Sequence, residues 1–438
     1  MGRVRPTTPP VTRPPSGFRL RGIAVAAYGP TVVNAIGHGA VMPVLALRAR
    51  ELGADVSTAA LVVALLGIGM LVASLPAGAL VARIGERRTL FLGGFVDAVA
   101  MTVAALSSSV AVLGAGSWGT TLANLLAAKG EEVRIWAYEA EVVQAINQRH
   151  ENPVFLPGIP LAPGLRAYGD AREAVAGAPV IVSAAPSHAV RGVVNRIRGG
   201  VKPGTLVVSA TKGIETDTLA LMSAVFEECL PKARFAALSG PSFAIEVCQG
   251  QPTLVVAAAR DESTARDAQR IFATPRFRVY SHDDVVGVEL AGALKNVIAI
   301  AAGILEGLGM GHNPRAALIT RGLAEITRLG VVLGASPLTF AGLAGMGDLI
   351  LTTTGDLSRN RALGVALAQG QSLENYRAAH RSVAEGANTS KAGAALGERM
   401  GVELPIIEKV CEVLFRGKPA REGIAELMAR ELKSEQWK

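Results

Sequence analysis

Residues 110–119 read V-A-V-L-G-A-G-S-W-G. A short apolar run of strand type leads straight into a Gly-x-Gly-x-x-Gly turn at Gly114, Gly116 and Gly119. A helical pattern follows (Thr121, Leu122, Ala123, Leu125, Leu126) and stops at Lys129-Gly130. Strand, glycine turn and helix in direct succession form the context that makes this motif an anion site. The first glycine allows the tight turn. The second lets the backbone approach a pyrophosphate, and the third lets the helix pack on the strand. The helix N-terminus adds free N–H groups and a partial positive charge. The segment therefore predicts a dinucleotide-binding turn, placed in the middle of the chain.

What precedes that turn is of another kind. At 438 residues the chain is long enough for two or three domains. Half of it is apolar and only 18% is charged. The apolar excess is concentrated near the start, where residues 22–47 and 56–82 carry no charged side chain. Each stretch exceeds the about 20 apolar residues that cross a bilayer. Residues 1–21 hold five prolines and five arginines and read as a disordered basic tail. The apolar stretch behind them is too long for a secretory signal.

Residues 1–109 contain ten arginines, no lysine and four acids, so most of the net charge of +8 sits there. This is juxtamembrane arginine, and no basic run interleaved with aromatics suggests nucleic-acid binding. Three well-separated cysteines, Cys229, Cys248 and Cys411, lack metal spacing and read as buried thiols, and no metal site is expected.

Gly78 to Leu90 reads G-A-L-V-A-R-I-G-E-R-R-T-L, and Pro43 to Ala54 reads P-V-L-A-L-R-A-R-E-L-G-A. Residues 22–108 resemble the first helices of a major-facilitator transporter. One repeat of that fold needs six helices, so the fragment is not a working carrier. The expectation is an apolar helical extension over 22–109, read either as a membrane anchor through residues 22–82 or as a gene-fusion or start-site artefact with Met101 as an internal start. With the tail and the Arg83–Arg88 loop both facing the cytoplasm, two spans leave the rest of the chain inside. A third span over 89–109 would put it outside and would bury Asp97 at a cost of about 3 kcal/mol. The sequence therefore predicts no simple third span.

From residue 110 strand and helix patterns alternate. Strands are expected at 110–113, 132–137, 179–184, 205–210, 234–238 and 253–258, forming a Rossmann-type doubly wound parallel sheet over residues 110–283. Helical periodicity then takes over at 284–305, 314–333, 361–369, 386–400, 405–415 and 420–433, giving an all-helical C-terminal domain over 284–438.

Ligands of open α/β sheets bind beyond the carboxyl ends of the strands. Several polar motifs fall there. Glu139 follows the second strand, 25 residues after Gly114. It suits an adenosine ribose 2′-hydroxyl or, equally, a surface acid at a helix start. His188, in A-P-S-H-A, reads as a loop histidine at a helix start. Lys212, in S-A-T-K-G-I-E, can hold a phosphate or a carbonyl oxygen. S-G-P-S-F-A, with Gly240, Ser242 and Ala244, is a turn whose N–H groups approach a ligand. In A-L-K-N-V, Lys295 and Asn296 interrupt an apolar helix. A lysine desolvated there has a lowered pKa and serves as acid or base, with Asn296 as its orienting partner. Asp348 follows in G-M-G-D-L. Ser358, Arg359 and Asn360, in S-R-N-R, offer donors suited to phosphate.

These motifs, with N-P-V-F-L-P-G-I from Asn152 and V-A-E-G-A-N-T from Val383, occur in an order that resembles bacterial NAD(P)-dependent glycerol-3-phosphate dehydrogenase over residues 110–435. The resemblance implies that Ser117, Trp118, Lys212, Ala244, Arg359, Val383 and Glu385 line the dinucleotide. It implies that Lys212, Gly240, Ser242, Lys295, Asp348, Ser358, Arg359 and Asn360 hold dihydroxyacetone phosphate or sn-glycerol 3-phosphate. Lys295 would be the proton donor and acceptor, and the chain a homodimer.

The family often has Arg where this chain has Tyr138-Glu139. NAD or NADP is the cofactor, with NAD expected to be preferred. The Ser-Arg-Asn cluster argues against a related β-hydroxyacid dehydrogenase. A transport or anchoring protein with a degenerate enzyme domain would lack one of these candidates, and none is missing.

Overall fold

A computed structural model describes residues 109–380, 384–432, 434 and 435. The expectations for residues 1–108 and for Val383 lie outside the described residues.

The chain first runs β1 (Ser109–Leu113), α1 (Ser117–Ala128), β2 (Glu132–Trp136), α2 (Ala140–Arg149), β3 (Glu151–Asn152), β4 (Leu156–Pro160) and β5 (Leu165–Tyr168). It continues through α3 (Ala171–Val175), β6 (Val180–Ser183), α4 (Val190–Ile197), β7 (Leu206–Ser209), α5 (Met222–Cys229) and β8 (Arg234–Ser239). A short α6 (Ala244–Cys248), β9 (Thr253–Ala258), α7 (Glu262–Phe272) and β10 (Phe277–His282) complete the sheet. Ser109, expected before the domain, belongs to β1, where its hydroxyl accepts a bond from Arg134 of β2.

Eight strands align in the order β10-β9-β8-β7-β6-β1-β2-β5. The order reverses between β1 and β6, both parallel neighbours, so the switch point lies beside the glycine turn. β1 is apolar from Val110 to Leu113 because both its faces are covered. Val110 and Val112 face a layer with Leu122, Leu126 and Phe272. Ala111 and Leu113 face a second layer with Val193, Val194 and Phe226.

The expected all-parallel sheet needs one correction. β8 and β9 pair antiparallel. The link between them holds only the five-residue α6, packed on α1, and doubles back without crossing the sheet. The chain also forms a two-stranded ribbon, β3 with β4, and the edge strands β5 and β10.

Every described regular element after β10 is helical. Helices α8 (Val285–Gly307), α9 (His312–Val332) and α10 (Pro337–Phe340) lead to a π turn over Leu343–Gly347. Then come α11 (Asp348–Thr354), α12 (Arg359–Ala368), α13 (Leu373–Ala379), α14 (Glu385–Met400), α15 (Pro405–Phe415) and α16 (Ala420–Met428). α8 is the axle. Among the described residues it alone is long and apolar enough to cross a membrane, yet the other helices cover it. Leu290, Leu294, Val297 and Ile298 pack with Ile326, Leu363, Leu396 and Ile407 in one core. Asp284 caps α8 by accepting the Gly287 N–H at 2.8 Å, so the helix starts directly off β10.

Candidate active site

The glycine turn is built as its spacing predicts. Gly114 has φ of +107°, a conformation that side chains avoid. At Gly119 an added Cβ would lie 1.9 Å from the Gly114 carbonyl oxygen, so only glycine lets α1 reach the strand. Gly116 differs, because a Cβ there would meet nothing within 4 Å. It N-caps α1 without any side-chain cap, leaving the first N–H groups of the helix facing open space. Beside it, the buried Trp118 Nε1 has no acceptor among the described residues. Open space, uncapped N–H groups and an orphaned donor together fit a dinucleotide diphosphate.

The second part of the site joins the two halves of the chain. Lys212 follows β7, Asp348 opens α11, and Lys295 lies in mid-α8. Lys295 donates to Asp348 Oδ1 at 2.5 Å and to Thr352 Oγ1 at 2.5 Å. Lys212 donates to Asp348 Oδ2 at 2.7 Å and to the Gly240 carbonyl at 3.2 Å. One buried carboxylate thus serves two lysines. An ammonium has three N–H bonds, and the protein engages two of those on Lys295. Burial pushes the Lys295 ammonium down to about 8, Lys212 adds to this, and Asp348 opposes it. Gly292 lets α8 lie close to the end of β8, since a Cβ there would sit 2.7 Å from Ser239 Oγ.

A third group surrounds the start of α12. Ser358 caps that helix through the Arg361 N–H. Arg359 is exposed, and among the described residues its guanidinium makes no hydrogen bond. Asn360 is buried and donates to Asn296 Oδ1 at 3.0 Å while accepting the Gly386 N–H at 3.0 Å. Glu385, at the start of α14, accepts from the Ser187 hydroxyl at 2.8 Å and its N–H at 3.3 Å. Burial raises the Glu385 carboxyl, against the opposing bonds from Ser187.

This arrangement agrees with comparisons to known proteins. Sequence models described as the N-terminus and C-terminus of NAD-dependent glycerol-3-phosphate dehydrogenase match residues 109–265 and 284–425. A glycerol-3-phosphate dehydrogenase [NAD(P)+] of Geobacter sulfurreducens is 56% identical over 335 residues, covering 76% of this chain and all of the relative. The chain belongs to the NAD(P)-dependent glycerol-3-phosphate dehydrogenase family.

The same enzyme from Geobacter metallireducens is 55% identical, covering 75% of this chain and 99% of the relative. The crystal structure of glycerol-3-phosphate dehydrogenase from Coxiella burnetii superposes with a TM-score of 0.72 at 38% identity, covering 74% of this chain and 99% of that one. The family's enzymes are oxidoreductases that use NAD or NADP, and this chain is one of them. A Major Facilitator Superfamily model matches residues 31–128, in line with the transporter-like reading of the first hundred residues. Its last part overlaps the dehydrogenase match, and there residues 109–128 are β1, the glycine turn and α1.

Most of the enzyme's expected site residues lie in these three groups. Gly240, with φ of +143°, and Ser242, bonded to its carbonyl at 3.1 Å, follow β8 beside Lys212. Ala244 opens α6 and accepts from Thr121 of α1 at 3.3 Å. Ser117 donates to the Phe155 carbonyl at 2.6 Å. Glu139 is the N-cap residue of α2, and His188 lies in the single turn that leads into α4. Asn296 does not orient Lys295. Its amide is held by Gly292 and Asn360 on another side of α8. Besides Asp348, Lys295 is held by Thr352, four positions after Asp348, which sequence reasoning missed although one turn of helix puts such pairs on one face. Ser187, partner of Glu385, was also missed.

Proposed function

We propose that this enzyme reduces dihydroxyacetone phosphate to sn-glycerol 3-phosphate, reversibly, with Lys295 as its general acid and base. The observation that carries this reading is the buried Lys295–Asp348–Lys212 cluster, with Lys295 brought to about 8. Bound NADH or NADPH supplies the hydride. Gly114, Gly116, Ser117, Trp118 and Gly119 hold the diphosphate, and Glu139, Ala244, Val383 and Glu385 line the rest of the dinucleotide.

As the hydride reaches C2 of the substrate, the carbonyl π pair moves to oxygen and the Lys295 ammonium protonates that oxygen. A lysine near its pKa works in both directions. Lys212 places a second positive charge at the developing oxyanion, where fixed charge in a dry site is most effective. Asp348 keeps both lysines in place and balances part of their charge. The exposed Arg359, with Ser358 and Asn360, takes the substrate phosphate at the start of α12, where an anion is favoured. Gly240 and Ser242 close the other side.

Glu139 supports a preference for NADH, since a carboxylate repels a 2′-phosphate. The family likeness supports a homodimer, which light scattering checks. The two uncharged stretches within residues 22–82 and the transporter-like match support a tether that leaves the enzyme domain in the cytoplasm. Fractionation of the expressed full chain tests it, and a wholly soluble product carrying its N-terminal peptides would rule it out. A tether would release sn-glycerol 3-phosphate close to the membrane, where glycerophospholipids are made.

The activity is tested by following NADH oxidation with dihydroxyacetone phosphate and, separately, with a 3-carbon keto acid lacking phosphate. The reading requires turnover with the first only. Turnover with the keto acid alone would point to a β-hydroxyacid dehydrogenase.

A further inference from the structure

The ribbon formed by β3 and β4 holds a motif, N-P-V-F-L-P-G-I from Asn152, that neither hydride transfer nor phosphate binding has used. Asn152 has no exposed surface. Its Oδ1 accepts the Phe155 N–H at 3.1 Å. That bond fixes which amide atom is oxygen, so both Nδ2 protons face the other way. They go to the Ala115 carbonyl at 2.8 Å and to Thr120 Oγ1 at 2.9 Å. Thr120 itself donates to the Ala115 carbonyl at 3.0 Å. The residue at the centre of Gly114-Ala115-Gly116 therefore has its carbonyl held by two side chains from inside the protein.

A trans peptide is planar, with C=O and N–H on opposite sides. Drawing the Ala115 carbonyl inward turns the Gly116 N–H outward, into the open space beside the turn. A second bond ties the same ribbon to the turn, from Ser117 Oγ to the Phe155 carbonyl at 2.6 Å. Without these bonds the glycine-flanked peptide is free to flip, and an inward N–H would present a carbonyl oxygen to an anion.

We propose that Asn152 is a positioning residue for the cofactor. It locks the Ala115–Gly116 peptide in the anion-binding orientation before the dinucleotide arrives, so that no ordering cost falls on binding. The inference rests on the reading that the turn at residues 114–119 carries the pyrophosphate.

The test uses the full chain and three variants, Asn152→Asp, Asn152→Ala and Gly116→Val. NADH and ADP affinities are read by calorimetry, thermal unfolding is read without ligand, and kcat is measured at saturating NADH. Asn152→Asp matches the parent in volume, so it keeps the test usable where Ala loosens the ribbon. The expected result is that both Asn152 variants weaken NADH and ADP by a similar factor, about tenfold or more, while kcat and the KM for dihydroxyacetone phosphate move by less than about threefold. A purely structural role would instead lower the unfolding temperature and leave both affinities unchanged in the folded variants, which overturns the proposal. So does a fall in kcat with unchanged affinity. If Gly116→Val weakens NADH and the Asn152 variants do not, only this inference fails. If Gly116→Val also binds normally, the glycine-turn reading fails with it.

Discussion

Lys295 and Asp348, 53 residues apart in sequence and on different helices, meet at 2.5 Å, both almost fully buried. A buried pair of this kind is weak evidence for stability, because the desolvation of two charges opposes their attraction. Asp348 is also shared with Lys212, so the carboxylate is outnumbered by cations. That surplus of positive charge is poorly explained as a device of folding. It suits a site that receives a phosphorylated carbonyl compound and must hold a developing alkoxide.

The pH dependence follows from the depressed lysine. Reduction needs Lys295 protonated, so its kcat/KM should fall as pH rises through about 8. Oxidation of sn-glycerol 3-phosphate needs it neutral and should rise through the same pH. Asp348 opposes the depression, so Asp348→Asn should move both limbs to lower pH. Rate profiles in the two directions check this, and limbs that stay in place in the variant would speak against Lys295 as the titrating group.

Arg359 is an exposed residue whose guanidinium has no hydrogen-bond partner among the described residues, and the protein packed around that group lowers its pKa. Arg359→Ala should raise the KM for dihydroxyacetone phosphate about 10- to 100-fold, the equivalent of a charge-assisted bond to phosphate. Arg359→Lys should recover only part, because it loses the planar fork. Initial-rate kinetics decide it, and an unchanged KM would remove Arg359 from the phosphate site.

Glu139 follows β2 as the N-cap residue of α2, and the proposed dinucleotide site would bring the adenosine ribose there. The kcat/KM with NADH should exceed that with NADPH. Glu139→Gln should narrow the ratio about fivefold, as expected from removing a like charge worth about 1 kcal/mol. A parent enzyme that uses NADPH as well as NADH would contradict the assignment.

Glu325 of α9 reaches across to α15 and accepts the N–H of Ile406 at 2.9 Å. Burial raises its carboxyl to about 7 against these N–H bonds. A carboxyl raised in the folded state contributes stability that is complete below its unfolded pKa and is lost as pH rises through about 7. Glu325→Gln keeps an acceptor and removes the titration. The parent's Tm, relative to that of Glu325→Gln, should therefore fall by a few degrees (about 2–4 °C per kcal/mol) between pH 5 and 8. Parallel Tm curves for the two proteins would show that Glu325 titrates normally.

The sequence was most legible where one segment carries both pattern and chemistry. β1, the glycine turn and α1 could be read almost to the residue because apolar run, glycines and periodicity agree. The six expected strands formed within one or two residues, and α8 stood out through its length and its mostly apolar sequence. Shorter or half-covered elements escaped. β5 has only four residues, the β3–β4 ribbon contains Pro157, Gly158 and Pro160, and β10 buries Phe277 and Val279 but exposes Arg278 and Tyr280 at the sheet edge. The antiparallel step at β9 was invisible because strand direction depends on how the connection packs. At the site, residue types such as Lys212, Lys295 and Asp348 were legible, but their partners were not. Asn296 lies next to Lys295 in sequence and points elsewhere, while Thr352, 57 residues away, touches it.

The central claim is that Lys295 moves the substrate proton. The most direct test compares Lys295→Ala with the parent in dihydroxyacetone phosphate reduction at saturating NADH, with NADH binding measured on both. The account predicts a kcat lower by about 10²- to 10⁴-fold with NADH affinity little changed. A variant that retains most of the parent's kcat would contradict it and leave the buried cluster without a catalytic role.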